Sequence, residues 1–218
     1  MENLILTKEK VLQINEDTFI LIFEEDPDFS PGQFVMMETP ALVRKPFILG
    51  KWMGKTAISV KIRGKGTKYL VFEATQIRCH LPLGNPFVPP NERGMAIVST
   101  ASITMAFMLN EIYGVEVLVG SRTPLVMKLP FETVVGDNAF EERIKKLDYE
   151  WYLISGSIEM EKKAWNILKK CKTEIFLALE EYMGCGIGAC KSCAIQTKYG
   201  IKHVCTDGPI FRGDELCW

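Results

Sequence analysis

Excess charge of either sign is almost absent: 26 Lys and Arg stand against 27 Asp and Glu, a net charge of −1 over 218 residues. A chain so balanced has no electrostatic footprint for nucleic acid, and no basic stripe fits it to an anionic membrane surface. Long hydrophobic runs are missing too. No stretch approaches the roughly 18 apolar residues of a spanning helix. The start, MENLILTKEKVLQ, lacks the basic region and apolar run of a secretory signal. The expected location is therefore cytoplasmic, with neither membrane nor nucleic acid as partner. A disulfide framework does not suit that reducing compartment, so the seven cysteines point to metal binding.

What is present is an ordinary globular composition, 47% apolar and 24% charged, in a chain long enough for two domains. TFILIFEE, QFVMMET, PFILG and AISVKIRG are short runs rich in Ile, Val and Phe, separated by Pro and Gly turns. They predict a small antiparallel barrel. LPLGNPFVPPNERG (81–94), with its prolines and glycines, marks a domain boundary. Beyond it the rhythm changes. MAIVS, VEVLVG, WYLIS and EIFLAL read as strands, alternating with helical SITMAFMLNEIY, NAFEERIKKL and IEMEKKAWNILKK. Such alternation predicts a parallel sheet covered on both faces. Residues 184–218 form a Gly- and Cys-rich tail with little room for a core of its own.

The tail carries the strongest chemical signal. Cys185, Cys190 and Cys193, with Cys205 later, have the C-x4-C-x2-C…C spacing of a plant-type [2Fe–2S] cluster. Gly184, Gly186, Gly188 and Ala189 let the backbone wrap closely and aim N–H groups at the sulfurs. A structural zinc site is the rival, but it usually pairs two short Cys knuckles, whereas here three ligands crowd and the fourth stands alone. Metal-free buried thiols are the plainest alternative. A Rieske-type site would need two His ligands, and His203 is the one nearby, so it reads as a group beside the ligands or at the surface. Cys79, Cys171 and Cys217 read as spare: a buried, a helix-end and a tail thiol.

At LEEYMGCGIGACKSC…HVCTDGPIF the chain resembles the electron-transfer subunits of type B dihydroorotate dehydrogenases, a branch of the ferredoxin–NADP reductase superfamily. The resemblance implies a flavin-binding barrel (1–92), an α/β nucleotide-binding-like domain (93–180) and a [2Fe–2S] segment (181–218). It also implies Cys185, Cys190, Cys193 and Cys205 as ligands, Cys205 being preferred to Cys217 because CTDGPIF is the family's surrounding sequence. Glu180 and Met183 fit the same pattern. Glu180 and Glu181 could be mistaken for a catalytic carboxylate pair, but adjacent side chains usually diverge.

For FAD the resemblance implies Lys45, Pro46, Phe47 and Ile48, then Ser59, Val60 and Lys61, then Gly66 and Thr67. RKPFILG stands where the family has Arg-Pro-aromatic-Ser, with Lys45 for the Arg and Ile48 for the Ser. Lys keeps the charge but loses the planar fork. Gly64, Gly66 and Thr67 resemble a Gly-x-Gly-Thr loop offering N–H groups and a hydroxyl to phosphates at a helix start; by itself GKGT also reads as a simple turn. LPLGNPF (81–87) resembles a stretch near the flavin.

The departure lies after the first α/β strand, where a Gly-rich turn would accept the nicotinamide cofactor. Here Ser99, Thr100, Ala101 and Ser102 stand without a glycine, and of a later Cys-Gly-Pro-like turn only Gly156 remains. The hydroxyls read as helix N-caps, and NAD is expected to bind weakly or not at all.

The function expected from the resemblance is electron transfer in pyrimidine synthesis. An FMN-containing catalytic partner, two copies of each chain together, would pass electrons through [2Fe–2S] and FAD to NAD⁺ or another acceptor. The alternatives are a related subunit serving a hydrogenase or transhydrogenase, and a zinc-stabilised binding module.

Overall fold

The computed structural model describes residues 2–41, 43–90, 93–171 and 173–218. The chain opens with β1 (Glu2–Gln13), β2 (Thr18–Phe23), β3 (Phe34–Met37), β4 (Lys45–Ile48), β5 (Gly50–Trp52) and β6 (Lys55–Lys61). Helix α1 (Lys65–Phe72) and β7 (Gln76–Leu83) follow. The seven strands form an antiparallel sheet in the order β4-β3-β7-β1-β2-β6-β5. β1 pairs with β7 through its first part and with β2 through its second, and its register shifts between Lys8 and Lys10. A bulge of this kind bends a strand, so one long strand serves both sides of a curled half-barrel. β4 lies against β6 across the curl. Leu6, Leu21, Val35, Ile58, Val60 and Cys79 fill the interior.

The second half holds β8 (Gly94–Ser99), a 3-10 turn (100–102), α2 (Ile103–Tyr113), β9 (Glu116–Ser121) and β10 (Glu132–Val135). Then come α3 (Asp137–Ile144), β11 (Trp151–Ser155), α4 (Ile158–Leu168) and β12 (Glu174–Ala178). β8 to β12 are parallel, in the order β10-β9-β8-β11-β12. The chain runs outward from β8 in one direction, then crosses back to β11 on its other side. The topological switch point thus lies between the carboxyl ends of β8 and β11, where ligands of open α/β sheets bind.

α2 buries Ile103, Thr104, Met105, Ala106, Met108 and Leu109, more than one face, because it is wedged between the two sheets. Met108 reaches the half-barrel core while its neighbours pack on the parallel sheet. The wedge is tight: a Cβ on Gly50 would lie 2.2 Å from the Thr104 carbonyl carbon. Glycine is required there by proximity alone.

The chain after residue 180 builds onto the sheet expected to be parallel. β13 (Ala194–Thr197) and β14 (Gly200–His203) form a hairpin, α5 (Val204–Asp207) follows, and β15 (Ile210–Arg212) joins the parallel sheet antiparallel to β12. The sheet is therefore mixed, and Met183, Cys193, Val204, Cys205 and Phe211 share one core with Ile154 and Leu177. The boundary expected after residue 92 falls at residues 91 and 92, which lie outside the described residues. The start of the 81–94 stretch is strand rather than linker, since β7 runs to Leu83.

Candidate functional site

The cysteine loop is shaped by backbone that only small residues tolerate. Gly186 and Gly188 have φ of 74° and 80°, left-handed values that favour glycine. Lys191, between two cysteines, has φ 57°, uncommon for a residue with a side chain. A Cβ on Gly186 would meet Met36 at 2.8 Å, and one on Gly188 would meet Thr206 at 3.0 Å. The loop is thus pressed against β3 on one side and α5 on the other.

This geometry gathers the four cysteines, Cys193 and Cys205 thiol to thiol, Cys185 and Cys190 through a backbone N–H. Cys193 Sγ lies 3.2 Å from Cys205 Sγ, both buried. The partly exposed Cys185 receives the N–H of Cys190 at 3.3 Å and that of Ile187 at 3.5 Å. Gly188 N–H donates to Cys205 Sγ at 3.2 Å. The Ser192 hydroxyl stands 3.1 Å from Cys190 Sγ while accepting the Gly184 N–H. That hydroxyl contact draws the Cys190 thiol down to about 6, whereas burial pushes Cys205 up to about 12. Among the described residues no three His, Cys, Asp or Glu side chains converge closely enough to hold a single metal ion. Four cysteines so gathered, with N–H groups aimed at sulfur, are a donor set that suits a two-iron cluster, each iron taking two thiolates. His203 is not among them. Its backbone N–H donates to the Asp207 carboxylate at 2.6 Å, and its ring Nδ1 lies 3.9 Å from the same oxygen. Cys217 and Cys171 are exposed and apart, and Cys79 is buried in the half-barrel, where burial raises its thiol to about 12.

The cysteine loop sits on the strand pair expected to hold flavin. Met36, which Gly186 touches, pairs in register with Pro46, and Val35 with Phe47. The 81–87 stretch joins the same corner: Asn85 N–H donates to Gly208 at 2.8 Å and its side chain to Thr206 at 3.0 Å.

Lys45, Pro46, Phe47 and Ile48 make up β4, half-buried along its whole length, which leaves one face of the strand open. Ser59, Val60 and Lys61 lie on β6, against β4, so the two groups come together. Their side chains do not all face that opening. Val60 is buried in the half-barrel core, Ser59 turns to Thr104 at 3.2 Å, and Lys61 pairs with Asp17 at 3.1 Å. Thr67 Oγ1 accepts the N–H groups of Arg63 and Gly64 at 2.9 and 3.1 Å, so its hydroxyl stabilises its own turn. The missing Cβ of Gly66 points at Thr39, 3.3 Å away, whereas around Gly64 nothing lies within 4 Å. The open start of α1, beside the charges of Lys61 and Arg63, suits a pyrophosphate.

A small cavity of about 60 Å³ opens among Gly156, Glu161, Glu180, Glu181, Gln196 and Trp218. Sequence reasoning missed Glu161. It is 1% exposed and accepts the Gly156 N–H at 3.2 Å. Burial pushes its carboxyl well up, and the Glu180 charge adds to this. Glu180 keeps an exposed edge but stands in a crevice where desolvation raises its carboxyl, with Arg63 and Lys61 opposing. A carboxylate three residues into α4 reads as ordinary first-turn acidity, so nothing in the sequence flagged it.

The hydroxyls after β8 do not cap helices. Neither Ser99 nor Ser102 makes a side-chain cap bond. Ser102 and Thr100 bond laterally instead, to Ser155 and Thr18.

Comparison with known proteins places these features. Residues 180–217 match the family of iron–sulfur cluster binding domains of dihydroorotate dehydrogenase B. A Thermotoga maritima protein described as a dihydroorotate dehydrogenase B (NAD⁺) electron transfer subunit is 59% identical, over 100% of both chains. A Clostridium perfringens protein of the same description is 26% identical over 94% of each chain. Among solved structures, one from work on flavin-based electron bifurcation by an NADH-dependent reduced ferredoxin–NADP oxidoreductase has a TM-score of 0.83. It is 24% identical, covering 98% of this chain and 90% of that one.

Proposed function

The chain belongs to the family of dihydroorotate dehydrogenase B electron-transfer subunits, and from that premise we propose how its residues divide the work. It is an oxidoreductase subunit that carries a [2Fe–2S] cluster and FAD. Cys185, Cys190, Cys193 and Cys205 would hold the cluster. β4, the end of β6 and the open start of α1 would hold FAD, with Lys45 and the free N–H groups at Lys65 and Gly66 toward the pyrophosphate. When bound, the cluster passes single electrons and the flavin converts between single and paired transfers.

The observation that supports this reading most is adjacency. The glycine loop around the cluster cysteines packs directly on Met36, the register partner of Pro46 in the flavin strand. The protein's part is to hold two redox groups side by side, shield the Cys193–Cys205 pair, and leave the Cys185–Cys190 edge open. Around that edge Tyr182 and Ile187 are 90% and 51% exposed, and such an apolar rim suits a partner. The partner would be an FMN-containing catalytic subunit, two of each chain assembling in the cytoplasm, with electrons running from dihydroorotate to NAD⁺ or another acceptor.

The test is to mix the anaerobic, cofactor-loaded chain with its catalytic partner and add dihydroorotate. The cluster's electron paramagnetic resonance signal should appear and the flavin absorbance should bleach within the same experiment. A cluster left oxidised while the partner turns over dihydroorotate would overturn the assignment.

A further inference from the structure

In open α/β sheets a dinucleotide seats its pyrophosphate at the switch point, where glycines let the backbone approach and the first helix turns free N–H groups outward. Here that seat is filled from three sides. Ser102 at the head of α2 and Ser155 at the end of β11 join hydroxyl to hydroxyl at 2.8 Å, both buried. The loop after β11 closes in as well: a Cβ on Gly156 would lie 3.3 Å from the Ser99 Cβ. Thr104 N–H, one of the donors a phosphate would use, is spent on Ser59 Oγ at 3.3 Å.

The same edge of the sheet is bound to the half-barrel. Thr100 Oγ1 meets Thr18 Oγ1 at 3.3 Å, Thr104 Oγ1 meets Ser59 Oγ at 3.2 Å, and Asn15 Nδ2 donates to Ser121 Oγ at 3.4 Å. All six residues are buried. We propose that the switch-point crevice of this chain is an interdomain buckle that does not seat a dinucleotide, the Ser102–Ser155 bridge occupying the pyrophosphate's place. The inference goes beyond the electron-transfer reading. It also differs from what the names of the relatives, which include NAD⁺, would carry over.

The distinction from capping matters physically. A cap hydroxyl can rotate away and surrender its N–H to a phosphate. A bridge between two buried hydroxyls across the crevice must be broken and the two loops parted. Loss of two charge-assisted phosphate contacts alone weakens binding by at least about a hundredfold.

The experiment is calorimetric titration of the full chain, loaded with FAD and cluster, with NADH and separately with NAD⁺. NAD⁺ is titrated into the oxidised chain and NADH into chain reduced beforehand with dithionite, so no hydride transfer accompanies binding and the result does not depend on the partner or on the route of electrons. Absence of binding tighter than about 1 mM, the weak end of the range for working sites, supports the buckle. A dissociation constant below that, for either nucleotide, overturns it. The Ser102→Gly, Ser155→Gly double variant should gain at least tenfold in NADH affinity. If that variant folds and gains nothing, the bridge is not what fills the seat. Should it fail to fold, the unaltered chain still decides.

Discussion

At the scale of single residues, the gathering of Cys185, Cys190, Cys193 and Cys205 was legible because metal chemistry fixes spacing. Three thiolates within a turn of a binuclear cluster leave little freedom, and the glycines that accompany them have a steric reason at Gly186 and Gly188. The fourth ligand is separable by mutation. Cys205→Ser should remove most of the reduced cluster's paramagnetic signal, because Cys205 is buried 3.2 Å from Cys193. Cys217→Ser, at an exposed position, should leave it intact. The reverse result would reassign the ligand. Glu161 was illegible because its meaning lies in burial, which spacing does not record. Its carboxyl is raised in the folded protein. The native state therefore holds that proton more tightly than the unfolded chain, and stability falls as pH rises from the ordinary carboxylate range toward the raised value. Glu161→Gln keeps an acceptor for Gly156 N–H and removes the charge. Its melting temperature should exceed the parent's by a few degrees at pH 8, at about 2–4 °C per kcal/mol. The gap should close near pH 4.5, and a gap independent of pH would show that Glu161 does not titrate in this range.

At the scale of elements, buried strands and amphipathic helices announced themselves, and short or polar ones did not. β1 carries Lys8, Glu9 and Lys10 in its middle, and β15 is three residues long. Both owe their strand state to neighbours that complete them rather than to composition. The start of α1 shows the same limit. The GKGT run placed glycines at a helix start, but which glycine faces open space is a matter of helix rotation. Gly64 is extended and unobstructed, whereas a side chain on Gly66 must displace Thr39. Gly64→Ala should therefore leave the melting temperature nearly unchanged and lower the flavin content per chain. Gly66→Val should lower both together. Equal flavin content in Gly64→Ala and parent protein would move the pyrophosphate away from this turn.

At the scale of the whole molecule, two surfaces carry the argument: one open, one closed. If the rim around the cluster receives the catalytic partner, Ile187→Glu should weaken co-purification of the two subunits while the cluster signal stays intact. A lost cluster signal would point to damage in the loop instead. The closed surface was invisible in the sequence because its parts are distant: Thr18, Ser59 and Asn15 on one side, Thr100, Thr104 and Ser121 on the other. Single polar residues scattered along strands look like solvent-facing positions, and only their meeting makes them a hydrogen-bonded seam.

Gly50 is the steric hinge of that seam. Its hypothetical Cβ falls 2.2 Å from backbone of α2 rather than from a side chain that could rotate. Relief would require the helix to back away from the half-barrel, stretching the Ser59–Thr104 contacts at 3.2 and 3.3 Å. Overpacking of this kind costs about 1–3 kcal/mol, and more where backbone must move. Gly50→Ala should thus lower the melting temperature by at least several degrees. If the α/β unit is held mainly by this seam, the variant should also open the crevice between β8 and β11. Hydrogen exchange at residues 99–104 would then speed up relative to exchange at the half-barrel core, around Val60 and Leu6. A variant that melts early with uniform exchange would mean that the two halves unfold as one body, the seam being only part of what joins them.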